Sequence, residues 1–151
     1  ELMRTGMALK AAMQIVIPRL KTDDSSLQHG IVVMATIKSD VHDIGKNLVG
    51  MMLEGAGFKV VDLGVDVAPD RFIDALQEDI DILGISALLT TTMPSMESTI
   101  KAVEEAGMRK RIKIIVGGAP VTAEYAQKIG ADGFAPDAGH AVSLAKHLLQ
   151  K

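Results

Sequence analysis

The sequence predicts an α/β fold: a five-stranded parallel sheet in the order 2-1-3-4-5, covered by helices and preceded by one more helix. Two observations predict it. From His29 onward, short apolar β-branched runs alternate five times with segments of helical periodicity, and the connections are short. Before that point the apolar residues fall on a single helical stripe.

That leading stripe is Leu2, Met3, Met7, Leu9, Ala12, Met13, Val16, Ile17 and Leu20. Pro18 and the polar run Thr22-Asp23-Asp24-Ser25-Ser26 end it and predict a linker, so the chain divides into residues 1–27 and 28–151. Ile31–Ile37 is an apolar run suited to a fully buried strand. Gly45–Ala56 has helical spacing through Leu48, Met51, Met52 and Gly55, with Met51 and Met52 expected in the core. Phe58–Leu63 is the second strand. Pro69 suits a first helical turn, and Phe72, Ile73, Leu76 and Ile80 share a face behind it. Ile82–Ala87 is the third strand. Pro94–Ala106 is a helix with Met96, Ile100 and Val103 inward, and Ile112–Val116 is the fourth strand. Val121–Ile129 reads as a helix stopped by Gly130. Gly133-Phe134-Ala135 is a short last strand, and Asp137 can cap the final helix, Ala138–Leu149. This is a flavodoxin-like (Rossmann-type) arrangement. Its ligands bind outside the carboxyl ends of the strands, where strands one and three diverge.

Composition narrows the chemistry. The chain has 151 residues, enough for one α/β domain plus a short segment. Hydrophobic residues make up 48%, which excludes a disordered tail. Lys+Arg 16 against Asp+Glu 19 leave a net charge of -3, so no basic block favours nucleic acid. The absence of cysteine excludes disulfides, Fe–S clusters, thiolate zinc sites and cysteine nucleophiles. No apolar run reaches the roughly 18 residues of a membrane span, and no signal-peptide pattern opens the chain. The expected compartment is the cytoplasm. The first residue is Glu1, so the chain is expected to be a piece of a longer one.

Three loops at the carboxyl edge carry the chemistry. After the first strand, Asp40 and His42 stand two apart, with Gly45 opening the helix. A carboxylate there can fix the imidazole tautomer and leave its other nitrogen free for a metal. An exposed loop histidine beside a capping aspartate explains the same spacing. After the third strand come Ser86, Leu88 and the threonines Thr90, Thr91 and Thr92, suited to lining a pocket or simply to capping a helix. After the fourth come Gly117, Gly118 and Ala119, where bare backbone lets a bulky ligand approach, or where the chain simply turns tightly. No G-x-x-x-x-G-K follows any strand, nor any G-x-G-x-x-G, so nucleoside triphosphates and ordinary dinucleotides are not expected. Each loop alone is ambiguous. Their convergence on one edge favours a single ligand site.

The pattern Asp40-x-His42-x-x-Gly45, then Ser86-x-Leu88, then Gly117-Gly118 resembles the signature of cobalamin-binding domains. Asp40-Val41-His42-Asp43-Ile44-Gly45-Lys46-Asn47, with Val61-Asp62-Leu63-Gly64-Val65, resembles the methyltransferase branch. That branch contains methionine synthase and the small corrinoid proteins of methanol, methylamine and methoxyaryl methyl transfer. The resemblance spans residues 30–150, and the leading helix is similar to the last helix of the cap that precedes the domain in this family.

The resemblance implies cobalamin or a related corrinoid as cofactor, bound with its lower base displaced from cobalt. It implies His42 as the cobalt ligand and a chain Asp40–His42–Ser86 that tunes it. It implies that Ser39, Val41, Asp43, Ile44 and Gly45 border the cofactor, that Ser86, Leu88 and Thr90 line its tail pocket, and that Gly117, Gly118, Ala119 and Ala138 border the nucleotide. It implies a methyl carrier, cycling cobalt between Co(I) and methyl-Co(III). The carrier would move the methyl group from a substrate-specific methyltransferase to a second one acting on tetrahydrofolate or a thiol. Alternatives within the resemblance are a piece of methionine synthase, the small subunit of an adenosylcobalamin mutase, and a cobalamin-sensing regulatory module. Lys46 and Asn47 are expected to face solvent or a partner. His29 is expected in the linker, and His140 and His147 on a surface without a metal.

Overall fold

A computed structural model describes residues 29–77 and 79–150, together with positions 4, 7, 8, 11, 12 and 15. Its elements alternate as expected: β1 (Ile31–Thr36), α1 (Ile44–Gly55), β2 (Lys59–Asp62), α2 (Pro69–Ala75), β3 (Ile82–Ser86), α3 (Pro94–Glu105), β4 (Lys113–Gly117), α4 (Ala123–Lys128), β5 (Gly133–Ala135) and α5 (Ala138–Leu149). All neighbouring strands are parallel and the sheet order is β2-β1-β3-β4-β5.

Successive strand residues face opposite sides, so the sheet has two apolar faces. Val33, Ala35, Leu83, Ile85, Ile114 and Val116 pack with Phe72, Met96, Ile100, Val103 and Ala126 of α2, α3 and α4 and with Leu76 just after α2. Val32, Met34, Ile82 and Ile115 pack with Leu53 of α1 and with Ala141 and Ala145 of α5. This second layer includes several small residues. Gly84 lies between Met34 and Ile115 in the strand register, and Ala138 and Ala141 come from α5.

Pro69 stands at the first turn of α2, as the sequence predicts, and Asp137 caps α5 by accepting from the His140 N–H at 2.9 Å. The fourth helix is shorter than predicted, because Thr122 caps it through the Tyr125 N–H. Met51 and Met52 are half-buried and not in the core. Leu53 holds the core position on α1 instead. In the leading segment Arg4, Met7, Ala8, Ala11, Ala12 and Ile15 are helical and exposed, so Met7 is not a core residue. The rest of the predicted stripe and the whole 22–26 linker lie outside the described residues. No helix among the described residues is long and apolar enough to cross a membrane.

Candidate functional site

The strand order reverses between β1 and β3, and the loops leaving these strands diverge there. A cavity of about 600 Å3 opens at this edge, between the second sheet face and helices α1 and α5. Its mouth is formed by Val41, His42, Asp43, Ile44, Gly45, Ser86 and Leu88. Gly117, Gly118, Ala119, Asp137 and Ala138 form its far wall, and Met34, Val49, Gly84, Ile115, Ala135 and Ala141 lie among its deeper lining.

His42 stands at the mouth with its ring about half exposed. Asp40 Oδ1 lies 2.7 Å from His42 Nδ1 and accepts the His42 backbone N–H at 3.0 Å. The carboxylate therefore holds the ring proton on Nδ1 and leaves the Nε2 lone pair free. Asp40 is itself buried. Its Oδ2 accepts from Leu88 N–H at 2.8 Å, Leu89 N–H at 3.4 Å and the Thr92 hydroxyl at 2.8 Å. Burial opposes ionisation of Asp40. The N–H groups of Leu88 and His42, the imidazole and the Thr92 hydroxyl outweigh it and hold the carboxyl well below the usual carboxylate range.

The backbone around this pair is braced. The buried Thr36 hydroxyl donates to the His42 carbonyl at 2.9 Å. Ser39 and Asp66 both adopt left-handed φ values, 69° and 52°. They clasp each other's loops: Ser39 N–H donates to Asp66 Oδ1 at 2.8 Å, and Asp66 N–H donates to the Asp40 carbonyl at 2.9 Å. The turn that carries His42 is thus tied to the end of β1 and to the loop after β2.

The structure places several of these residues differently from the expected arrangement. Ser86 makes no hydrogen bond to Asp40 or His42 among the described residues. The third member of the chain is Thr92, because the first turn after β3 carries it back over Asp40. Ser86 lines the cavity instead. Thr90 is exposed and outside the cavity lining, since it sits on the outer side of that turn. Ser39 and Asp40 also stand behind the cavity wall, not in it. Lys46 does not face solvent. It is buried, lines the cavity, and its ammonium donates to Asp62 Oδ2 and Asn47 Oδ1. Asn47 in turn donates to Asp43 Oδ2 at 3.0 Å. Gly118 (φ +123°) is demanded by the protein's own packing: a Cβ there would lie 1.7 Å from the Ala87 carbonyl oxygen. His29 stacks obliquely near Phe58, with ring centroids 5.5 Å apart, and His140 pairs with Asp137 on the surface. Among the described residues no cluster of three or more His, Asp or Glu side chains could hold a metal by itself.

A family model described as B12 binding domain matches residues 30–144. The chain belongs to the B12-binding domain family. Dimethylamine corrinoid protein 2 of Methanosarcina acetivorans is 42% identical over 148 residues, which cover 97% of this chain and 68% of that protein. The structure of the Methanosarcina barkeri monomethylamine corrinoid protein superposes with a TM-score of 0.84 at 33% identity, over 97% of this chain and 69% of that one. The methanol:cobalamin methyltransferase complex MtaBC from the same organism matches with a TM-score of 0.76 at 33% identity, over 82% of this chain and 47% of that one.

The residues present fit the B12 group. A single imidazole with Nδ1 engaged leaves one ring nitrogen, Nε2, that could hold the group's cobalt. Around it Val41, Ile44, Leu88 and Leu89 are exposed, an apolar rim that a flat macrocycle would cover. A Cβ on Gly45 would meet open space, so the missing side chain leaves room at the mouth.

Proposed function

We propose that this domain is a corrinoid-binding methyl carrier, with His42 Nε2 as the lower axial ligand. It takes a methyl group from a methyltransferase specific for a small methylated amine and presents it to a second one acting on a thiol or tetrahydrofolate. When bound, the corrinoid supplies a cobalt that gains and loses a methyl group. The chain's own residues tune that centre. Asp40 keeps the proton on Nδ1 and raises the basicity of Nε2. Leu88, Leu89 and Thr92 hold Asp40 ionised and immobile. Thr36 and the Ser39–Asp66 clasp fix where the imidazole stands. The apolar rim keeps water from the site.

The observation that carries this reading is the Asp40–His42 contact at the mouth of an apolar cavity. The amine donor is supported by the names of the relatives. The test is His42→Gly, reconstituted with cobalamin. The variant should still bind the corrinoid but lose the axial-nitrogen signature in its visible and EPR spectra. Spectra identical to those of the parent protein would overturn the assignment.

A further inference from the structure

The lining of the cavity bears on which corrinoid it takes. This inference rests on the proposed axial role of His42. If the imidazole occupies the lower axial position, the nucleotide base of the corrinoid is released from cobalt and must go elsewhere. The cavity beside His42 penetrates the domain. Ser86 and Gly117 form one register row near its mouth, and Gly84 and Ile115 form the row two residues deeper, with Met34 beside them.

That floor offers no hydrogen-bonding side chain. Met34, Val49, Gly84, Ile115 and Ala141 supply only carbon and a thioether. The backbone groups of β1, β3 and β4 are engaged in ladders on both sides. The polar side chains that line the cavity stand outside this floor: Lys46 bonds Asp62 and Asn47, Asp43 bonds Asn47, Asp137 bonds His140, and Ser86 lies in the row nearer the mouth.

We propose that the floor selects corrinoids whose lower base is an alkylated benzimidazole over those whose base is a purine. An adenine carries an exocyclic amine and additional ring nitrogens that would be buried there without partners. Such a group loses its hydration and gains nothing in exchange. The methyl groups of a dimethylbenzimidazole lose no hydrogen bond and gain apolar contact.

The test compares three ligands on the apo-protein by absorbance titration: cobalamin, its adenine-base counterpart, and cobinamide, which has no base. Cobalamin should bind about tenfold or more tightly than the adenine form, the loss expected for one buried unpaired polar group. Cobinamide should bind more weakly than cobalamin while still acquiring the His42-dependent spectrum. Val49→Thr adds a hydroxyl to the floor at nearly constant volume and should narrow the gap between the two bases. Equal affinity for the two bases, or tighter binding of the adenine form, would overturn the proposal. So would a gap that Val49→Thr leaves unchanged, or cobinamide binding as tightly as cobalamin. In each of these cases the axial role of His42 would stand. Absence of a His42-dependent spectrum with all three ligands would end both claims.

Discussion

At the scale of single residues, Asp40 is the most consequential side chain. It gathers the ring and the backbone N–H of His42, the backbone N–H groups of Leu88 and Leu89 and the Thr92 hydroxyl onto a single buried carboxylate. Because its native pKa is depressed, its contribution is fully present above the ordinary carboxylate range near 4 and is lost as pH falls toward the native value. Urea unfolding should therefore show stability falling steeply below about pH 4. Asp40→Asn should be less stable at neutral pH by about 2–4 kcal/mol and should show a flatter acid limb. An unchanged acid limb would remove Asp40 as its source. Thr92 gives a second comparison. Thr92→Val should cost about 1–2 kcal/mol and weaken the axial-nitrogen signal, while Thr92→Ser should restore both. Ser86→Ala should leave that signal intact, and a reversal of the two outcomes would reinstate Ser86 in the chain. The Asp40–His42 pair was legible because two residues of separation guarantee proximity. Thr92 lies 52 positions from Asp40. Three consecutive threonines advertised a hydroxyl in this region, but only the path of the turn decides which one faces the carboxylate.

At the scale of elements, the loops after β3 and β4 are in contact and constrain each other. The Ala87 N–H donates to the Gly117 carbonyl, and the Ala87 carbonyl fills the space where a side chain on Gly118 would stand. Gly118→Ala must therefore displace backbone and adopt a strained φ as well. A loss of about 3 kcal/mol or more is expected by urea titration. Gly45→Ala meets open space and should cost far less. Similar losses in the two variants would contradict the packing described here. Strand and helix identities were legible because short apolar β-branched runs and the 3.6-residue period are both written locally. Lys46 was not. A lysine in a first helical turn normally faces solvent, and only the convergence of α1 with the end of β2 brings Asp62 close enough to hold its ammonium inside. The paired glycines signalled bare backbone correctly, but not that a neighbouring carbonyl is what requires Gly118.

At the scale of the whole molecule, the alternation of strands and helices made the sheet order readable, and the order alone locates the site at the β1/β3 divergence. What it leaves open is how the cavity shapes stability. Beside the second sheet face, Gly84 of β3 and Ala138 and Ala141 of α5 are small and leave neighbouring lining atoms without packing partners. A corrinoid that binds only the folded chain stabilises it by mass action, about 2.7 kcal/mol at a hundredfold excess over Kd. For a chain of 151 residues that corresponds to a rise in Tm of about 5–10 °C. On the proposed reading two parts of the site contribute, the His42 nitrogen and the apolar cavity, and they are separable. His42→Gly removes the first and leaves the second, so at matched saturation this variant should keep a clear thermal shift while its spectrum changes. Tm measured by differential scanning calorimetry across a corrinoid titration checks this directly. A shift that vanishes entirely with the imidazole would mean that the cavity gains nothing from the ligand, and the small residues of α5 and β3 would then need another explanation.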